Sequence, residues 1–151
     1  MFMNRYIQSD LFRYYGKYDI LTFIKALIIN KSFRVQYSYR LCDCRGVRYI
    51  GFMLYIFFRG GNRIPKSVKI GYGLYIGHGG PVIINPTAVI GNNVNLSQFT
   101  TIGSNEGKAA IIGDNVYIGP QVVLLQNLFQ IMLQQLVIMQ RLLIIIIQEN
   151  I

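Results

Sequence analysis

The sequence predicts a mainly β chain, a parallel β-helix preceded by a helical N-terminal segment. Three observations carry that expectation. Apolar residues recur every six positions between Ile64 and Leu124. Glycine follows the apolar residue at Gly71, Gly77, Gly91, Gly103, Gly113 and Gly119. Ahead of the repeat, residues 1–60 are low in glycine and carry apolar residues at helical spacing.

Residues 1–60 form the basic, aromatic-rich helical segment. Tyr18–Ile29 and Phe33–Leu41 read as helices, with Asp19 as a cap for the first. Ile20, Phe23, Ile24, Leu27 and Ile28 follow the spacing of one helix face. The chain has a net charge of +9, and residues 1–69 hold 13 of its 15 lysines and arginines against three of its six acids. Arg34, Arg40, Arg45, Arg48 and Arg59 stand among many tyrosines and phenylalanines. Two readings follow. One is weak contact with a membrane surface or an anionic ligand. The other is a helical cap whose aromatics pack on the rest of the chain while its arginines stay solvated. No nucleic-acid motif accompanies the charge, so nucleic acid is not an expected partner.

Residues 61–124 hold the repeat. Ile64, Ile70 and Ile76 are six apart, as are Ile84, Ile90, Leu96 and Ile102, and then Ile112, Ile118 and Leu124. Two residues are inserted before Ile84 and four before Ile112. Val68, Leu74, Ala88, Val94, Thr100, Val116 and Val122 form a second, mostly small or β-branched row. A period of six fits neither a helix nor a hairpin array. Three hexads make one triangular coil of 18 residues with the apolar position inward. Glycine and asparagine then supply corners where positive φ is cheap. Asn85, Asn92, Asn93 and Asn115 read as corner residues. The insertions loop outward, where repeat folds often bind ligands.

Composition narrows the function classes. Cys42 and Cys44 make no disulfide framework and suit no zinc site, and read as reduced thiols of a cytoplasmic protein. His78 is the single histidine, so a multi-histidine metal site within one chain is excluded and no metal is expected. The N-terminus lacks the pattern of a secretory signal. The apolar run Tyr49–Phe58 is too short for a bilayer, and glutamines interrupt the run from Leu124 to Ile147.

The hexads, with IGHGG at residues 76–80 and IIGDNVYIGP at residues 111–120, resemble the hexapeptide-repeat acyltransferases. Within them the chain is most similar to the serine acetyltransferase-like group, which includes relatives that O-acetylate sugars. The resemblance covers residues 64–123 and extends more weakly to residues 8–60. It implies a left-handed β-helix, a homotrimer with sites between subunits, acetyl-CoA as acyl donor, and a small-molecule acceptor such as the hydroxyl of serine or a sugar. It assigns the general base to His78, a role imidazole suits because it titrates near neutrality. Gly77 and Gly79 would let the acceptor approach closely, and backbone amides would hold the oxyanion. The inserted loop from Ser104 to Lys108 would cover coenzyme A, with Lys108 meeting its phosphates and Gly113 and Gly119 lining the pantetheine arm.

Three positions depart from the serine acetyltransferase pattern. Arg63 stands where those enzymes carry the aspartate that orients the base. Gly77 replaces their acceptor-binding aspartate, and their Arg-His pair is missing from Ser104–Ala110. The losses bring a sugar or another alcohol level with serine as acceptor. They also leave a rival reading, a catalytically inactive or truncated hexapeptide-repeat scaffold.

Residues 125–151 are an atypical apolar tail with no glycine. Back-translation with TTA or TTG for leucine, read from the third base of each codon after Leu128, restores residue types that resemble further hexads. The tail is therefore expected to be an out-of-frame reading, leaving about three coils and no terminal cap.

Overall fold

A computed structural model describes residues 3–104 and 108–125. The chain opens with four helices, α1 (Arg5–Tyr15), α2 (Ile20–Ile29), α3 (Lys31–Leu41) and α4 (Arg48–Phe58). Short polar side chains start the first three. The Asn4 side chain accepts from Ile7 N, Asp19 from Thr22 N and Asn30 from Phe33 N, at 2.9–3.0 Å, each satisfying an amide with no partner inside its helix. Gly16, at φ 68°, ends α1. Asp19 therefore caps α2 as the sequence implies, while α3 starts at Lys31, two residues before Phe33, with Asn30 as its cap. Gly51 is buried in α4, where a Cβ would lie 2.7 Å from Leu41 and Cys42, so α4 approaches α3 closely only because this residue is glycine.

The face expected of α2 is only half right. Phe23 is buried, but Ile20, Ile24 and Ile28 are exposed, and Thr22 and Ala26 take the inner positions. The helix is apolar on both sides, so spacing alone did not select the packed one.

Among the described residues nine two-residue strands follow: β1 (Lys69–Ile70), β2 (Tyr75–Ile76), β3 (Ile83–Ile84), β4 (Val89–Ile90), β5 (Asn95–Leu96), β6 (Thr101–Ile102), β7 (Ile111–Ile112), β8 (Tyr117–Ile118) and β9 (Val123–Leu124). They form three parallel sheets, β1-β4-β7, β2-β5-β8 and β3-β6-β9. Ile84 pairs with Ile102, a coil of 18 residues; Ile70 pairs with Ile90 across the two-residue insertion, and Leu96 with Ile118 across the four-residue one. Ile76, Ile84, Ile90, Leu96, Ile102, Ile112 and Ile118 stack inward and are buried, with Val68, Leu74, Val82, Ala88 and Val94 beside them. Thr100, fully buried in that second row, donates its hydroxyl to Ser97 O at 2.8 Å.

The corners correct one expectation. The glycines that follow the apolar positions do not supply positive φ. Residues further round each turn do, namely Gly73, Asn93 and Asn115 at one corner and Gly79, Phe99 and Gln121 at the next. Gly71 and Gly91 are instead required by close stacking, because a Cβ on Gly71 would lie 2.6 Å from Gly91 O and one on Gly91 would lie 2.7 Å from the carbonyl carbon of Gly113.

The helices close the open edge of the first coil. A first strand has no coil before it, so its backbone groups need other partners. Arg40 donates to Ile70 O at 2.9 Å and Gly71 O at 2.6 Å. Asp10 accepts from Leu74 N at 2.8 Å and pairs with Arg40 through two oxygens. Gln36 donates to Leu74 O at 2.8 Å. The Tyr14 hydroxyl accepts from Ile76 N and donates to Ile76 O, both at 3.0 Å. Tyr39 donates to Val68 O, and Tyr55 bridges Ile64 N and O. At the third sheet, Arg63 bridges to Ile83 and Asn62 accepts from Val82 N. Burial pushes the Tyr14, Tyr39 and Tyr55 phenols above their ordinary value, so they remain protonated. Burial also pushes the Asp10 carboxyl up, and Arg40 opposes it. Residues 5–58 are thus a cap, as one of the two readings holds, but Arg40 is buried in it rather than solvated.

Candidate active site

His78 stands at the second corner of the first coil, between β2 and β3, where the two-residue insertion falls. The insertion makes the chain turn through two successive left-handed residues, His78 at φ 61° and Gly79 at φ 64°. Single left-handed residues recur at the other corners, at Asn93, Phe99, Asn115 and Gln121, and this corner differs in having two in succession. The His78 side chain is exposed. The amides of His78, Gly79 and Gly80 donate no backbone hydrogen bond among the described residues, whereas Gly77 N is held by Leu96 O at 2.8 Å. Gly80 lies against Gln98, whose Cβ would be 2.5 Å from any Cβ added there. Beside the imidazole, three N–H groups thus make no backbone hydrogen bond among the described residues.

A cavity of about 320 Å³ opens beside His78 and Gly79. Tyr75 and Ile76 form its floor, Tyr14 and Tyr15 of α1 one wall, and Ile29, Asn30, Lys31 and Ser32 at the α2–α3 junction the other. The bonds from Tyr14 to Ile76 fix this wall against the strand that leads to His78. None of these helical residues was legible as part of the site, because no local motif marks them. The one available signal was the run of cap residues around Asn30, which reads only as a helix start.

The other expected site residues are spread along the coils. Gly77 and Gly79 flank His78 in sequence. Gly119 lies on the same corner line, since Ile76 pairs with Leu96 and Leu96 with Ile118. Two coils separate it from Gly77, roughly 10 Å at the usual strand spacing. Gly113 lies on the preceding corner line, after the Ile90–Ile112 pair. Gly113 and Gly119 both line an apolar groove of about 450 Å³ on the last described coil, together with Ile112, Val116 and Leu124. Ser104 and Lys108 lie at the third corner, beside the inserted loop, and line neither cavity. The Ser104 hydroxyl is buried and finds no hydrogen-bond partner among the described residues, while Lys108 is exposed. Residues 105–107 of that loop, and the tail from residue 126 with its proposed change of frame, lie outside the described residues. Arg63 lines a separate cavity with Phe52 and Arg59, and no hydrogen bond to the His78 imidazole forms among the described residues. No three His, Cys, Asp or Glu side chains gather among the described residues in a way that could hold a metal.

No protein-family model matches the chain. Curated proteins and solved structures do. The chain is 39% identical over 69 residues to serine acetyltransferase 5 of Arabidopsis thaliana, covering 42% of this chain and 22% of that protein. It is 40% identical over 72 residues to serine acetyltransferase of Staphylococcus aureus, covering 45% and 34%. The structure of Neisseria gonorrhoeae serine acetyltransferase in complex with serine superposes with a TM-score of 0.61 at 25% identity, covering 78% of this chain and 52% of that one. The chain thus spans about a fifth to a third of the length of these curated relatives. Together with the three parallel sheets, these likenesses show a left-handed parallel β-helix. In sequence and in fold the chain is similar to the serine acetyltransferases, hexapeptide-repeat acyltransferases.

Proposed function

We propose that this chain serves acetyl transfer from acetyl-CoA to a hydroxyl of serine or of a sugar, with His78 as the general base. The observation that carries the reading is the exposed His78 imidazole, set on a left-handed corner beside unpaired amides and a cavity large enough for a small acceptor. The acceptor hydroxyl gives its proton to the imidazole as its oxygen attacks the thioester carbonyl carbon. The carbonyl oxygen becomes an oxyanion, which the amides of Gly79 and Gly80 receive. The oxyanion then collapses, the carbon–sulfur bond breaks, and the leaving thiolate takes the proton back from the imidazolium. Gly77 and Gly79 leave room for the acceptor. Lys31 in the cavity wall adds a cation for a carboxylate or a polar sugar.

Ser104, Lys108, Gly113 and Gly119 are the proposed coenzyme A contacts, and the unpartnered Ser104 hydroxyl supports the first of them. The enzyme is proposed to work as a homotrimer in the cytoplasm. Outward-facing Ile111, Tyr117 and Val123 are exposed on the three sheets and give subunit contacts an apolar surface, and both cysteines are free thiols. The scaffold reading is favoured by one feature, the imidazole without an orienting partner where Arg63 replaces the family's aspartate.

The test is release of coenzyme A thiol by the whole protein, with serine and with sugars as acceptors. His78→Asn keeps a side chain that tolerates a left-handed corner but cannot act as base. It is expected to lower the rate by about a hundredfold or more. An unchanged rate in His78→Asn, or no release by the folded wild type with any acceptor, removes the catalytic reading.

A further inference from the structure

Helix α4 is apolar all round, an arrangement normally found in a protein core or against lipid. Of its eleven residues only Gly51 and Tyr55 are buried. Tyr49, Ile50, Phe52, Met53, Ile56 and Phe57 are exposed, Phe57 by 80% and Met53 by 69%. At 100° per residue they cover about 160° of the circumference, directly opposite the packed stripe. Helix α2 repeats the pattern with exposed Ile20, Leu21, Ile24 and Ile28. Arg34 joins the two helices, since its guanidinium donates to Leu27 O and Ile28 O at the end of α2 and lies 5.6 Å from the Phe58 ring centroid at the end of α4.

The charged residues next to α4 in sequence are cations. Arg45 precedes the helix, Arg48 is its first residue and Arg59 follows it, all three exposed, while the nearest acid, Asp43, is paired with Lys66 at 2.7 Å. Arg48 lies over the Tyr49 ring, as an arginine does when its stem covers apolar surface and its head seeks an anion. A two-fold contact with a second copy of the chain would bring these cations against their own equivalents, within a segment holding 13 cations and three anions. An anionic surface complements them. The helix is about 16 Å long, half the thickness of a bilayer core, and no helix among the described residues is long and apolar enough to cross a membrane. Such a helix lies flat in the interface.

We propose that the exposed faces of α4 and α2 dock on an anionic lipid surface, apolar side chains entering the acyl boundary and arginines meeting the head groups. Ile29 closes α2, is exposed, and also walls the His78 cavity, so that cavity borders the docked face.

The test is flotation of the whole protein with vesicles of phosphatidylcholine alone and of equal parts phosphatidylcholine and phosphatidylglycerol. Binding is expected to the mixed vesicles, to weaken with salt, and to persist in part at high salt because apolar burial is not screened. Met53→Glu with Phe57→Glu, both at exposed positions, is expected to lower binding about tenfold or more with the unfolding midpoint unchanged. Arg48→Gln with Arg59→Gln is expected to weaken binding at low salt. His78→Asn is expected to bind as the wild type, so this outcome stands apart from that of the acetyl-transfer assay. The proposal is overturned if mixed vesicles are not bound, or if the Met53/Phe57 variant binds as tightly as the wild type. It is also overturned if sedimentation shows the face buried between copies, with the same variant dissociating them.

Discussion

The helical cap and the β-helix are held by opposite kinds of chemistry. The coils are built from a stack of isoleucines in which each side chain meets its equivalent above and below. Within them Ser97 and Thr100 are buried polar residues. The cap buries Asp10, Thr22, Ser32, Gln36, Ser38 and Arg40, and it aims three tyrosine hydroxyls at backbone. The difference teaches that repetition satisfies the backbone along the helix axis but not at its start. Where no earlier coil supplies donors and acceptors, side chains must, and an unsatisfied edge would cost several hydrogen bonds and invite pairing with another chain.

The largest expected effect tests that division directly. Asp10→Ala leaves Arg40 buried without its carboxylate and Leu74 N without an acceptor, and should cost about 3–5 kcal/mol in urea unfolding. A loss below about 1 kcal/mol would mean that the cap is held by its aromatic packing instead. A smaller effect is expected inside the coils. Gly91→Ala pushes a methyl into the backbone of Gly113 and should cost about 1–3 kcal/mol by overpacking. Gly113→Ala meets nothing within 4 Å among the described residues and should be near neutral. Equal losses at both positions would refute the stacking account of Gly91.

The smallest effect concerns acid. Asp114 accepts from Asn92 N at 2.6 Å and from the Asn92 side chain, and these bonds hold its carboxyl below the ordinary value. Its contribution is therefore complete above the unfolded-state pKa and is lost as pH falls through the lower folded-state value. Asp114→Asn should narrow the stability gap to wild type as pH is lowered through the carboxylate range, in a series of melting curves. A gap independent of pH would assign the bond no ionic character.

Much of this architecture is legible in the sequence because a period of six is a long, self-checking signal. Ile64 to Leu124 and both insertions could be placed on coils residue by residue. The period places His78 beside the two-residue insertion, but its role as base came only from the resemblance of IGHGG to the acyltransferases. What escaped was everything that depends on a distant partner. Arg40 looks like any surface arginine until Asp10, thirty residues earlier, is seen beside it. Tyr14, Asn30 and Lys31 gain meaning only when the helices fold back over β2. The packed side of α2 escaped for another reason: Ile20 and Phe23 are equally apolar, and only the tertiary contact decides between them. The role of Gly71 and Gly91 was misplaced because closeness between coils, unlike a turn, leaves no mark on local sequence.

The cap's position also gives the molecule a direction. Its buried bonds all fall on the first coil, and one exposed reach, from Arg13 to Asn95, touches the second. No helical side chain bonds to the third coil among the described residues. The helices thus anchor one end of the described stack, and each coil protects the one beneath it. The corner that carries His78 belongs to the anchored coil, so amide protons around Gly77 should outlast those around Gly119.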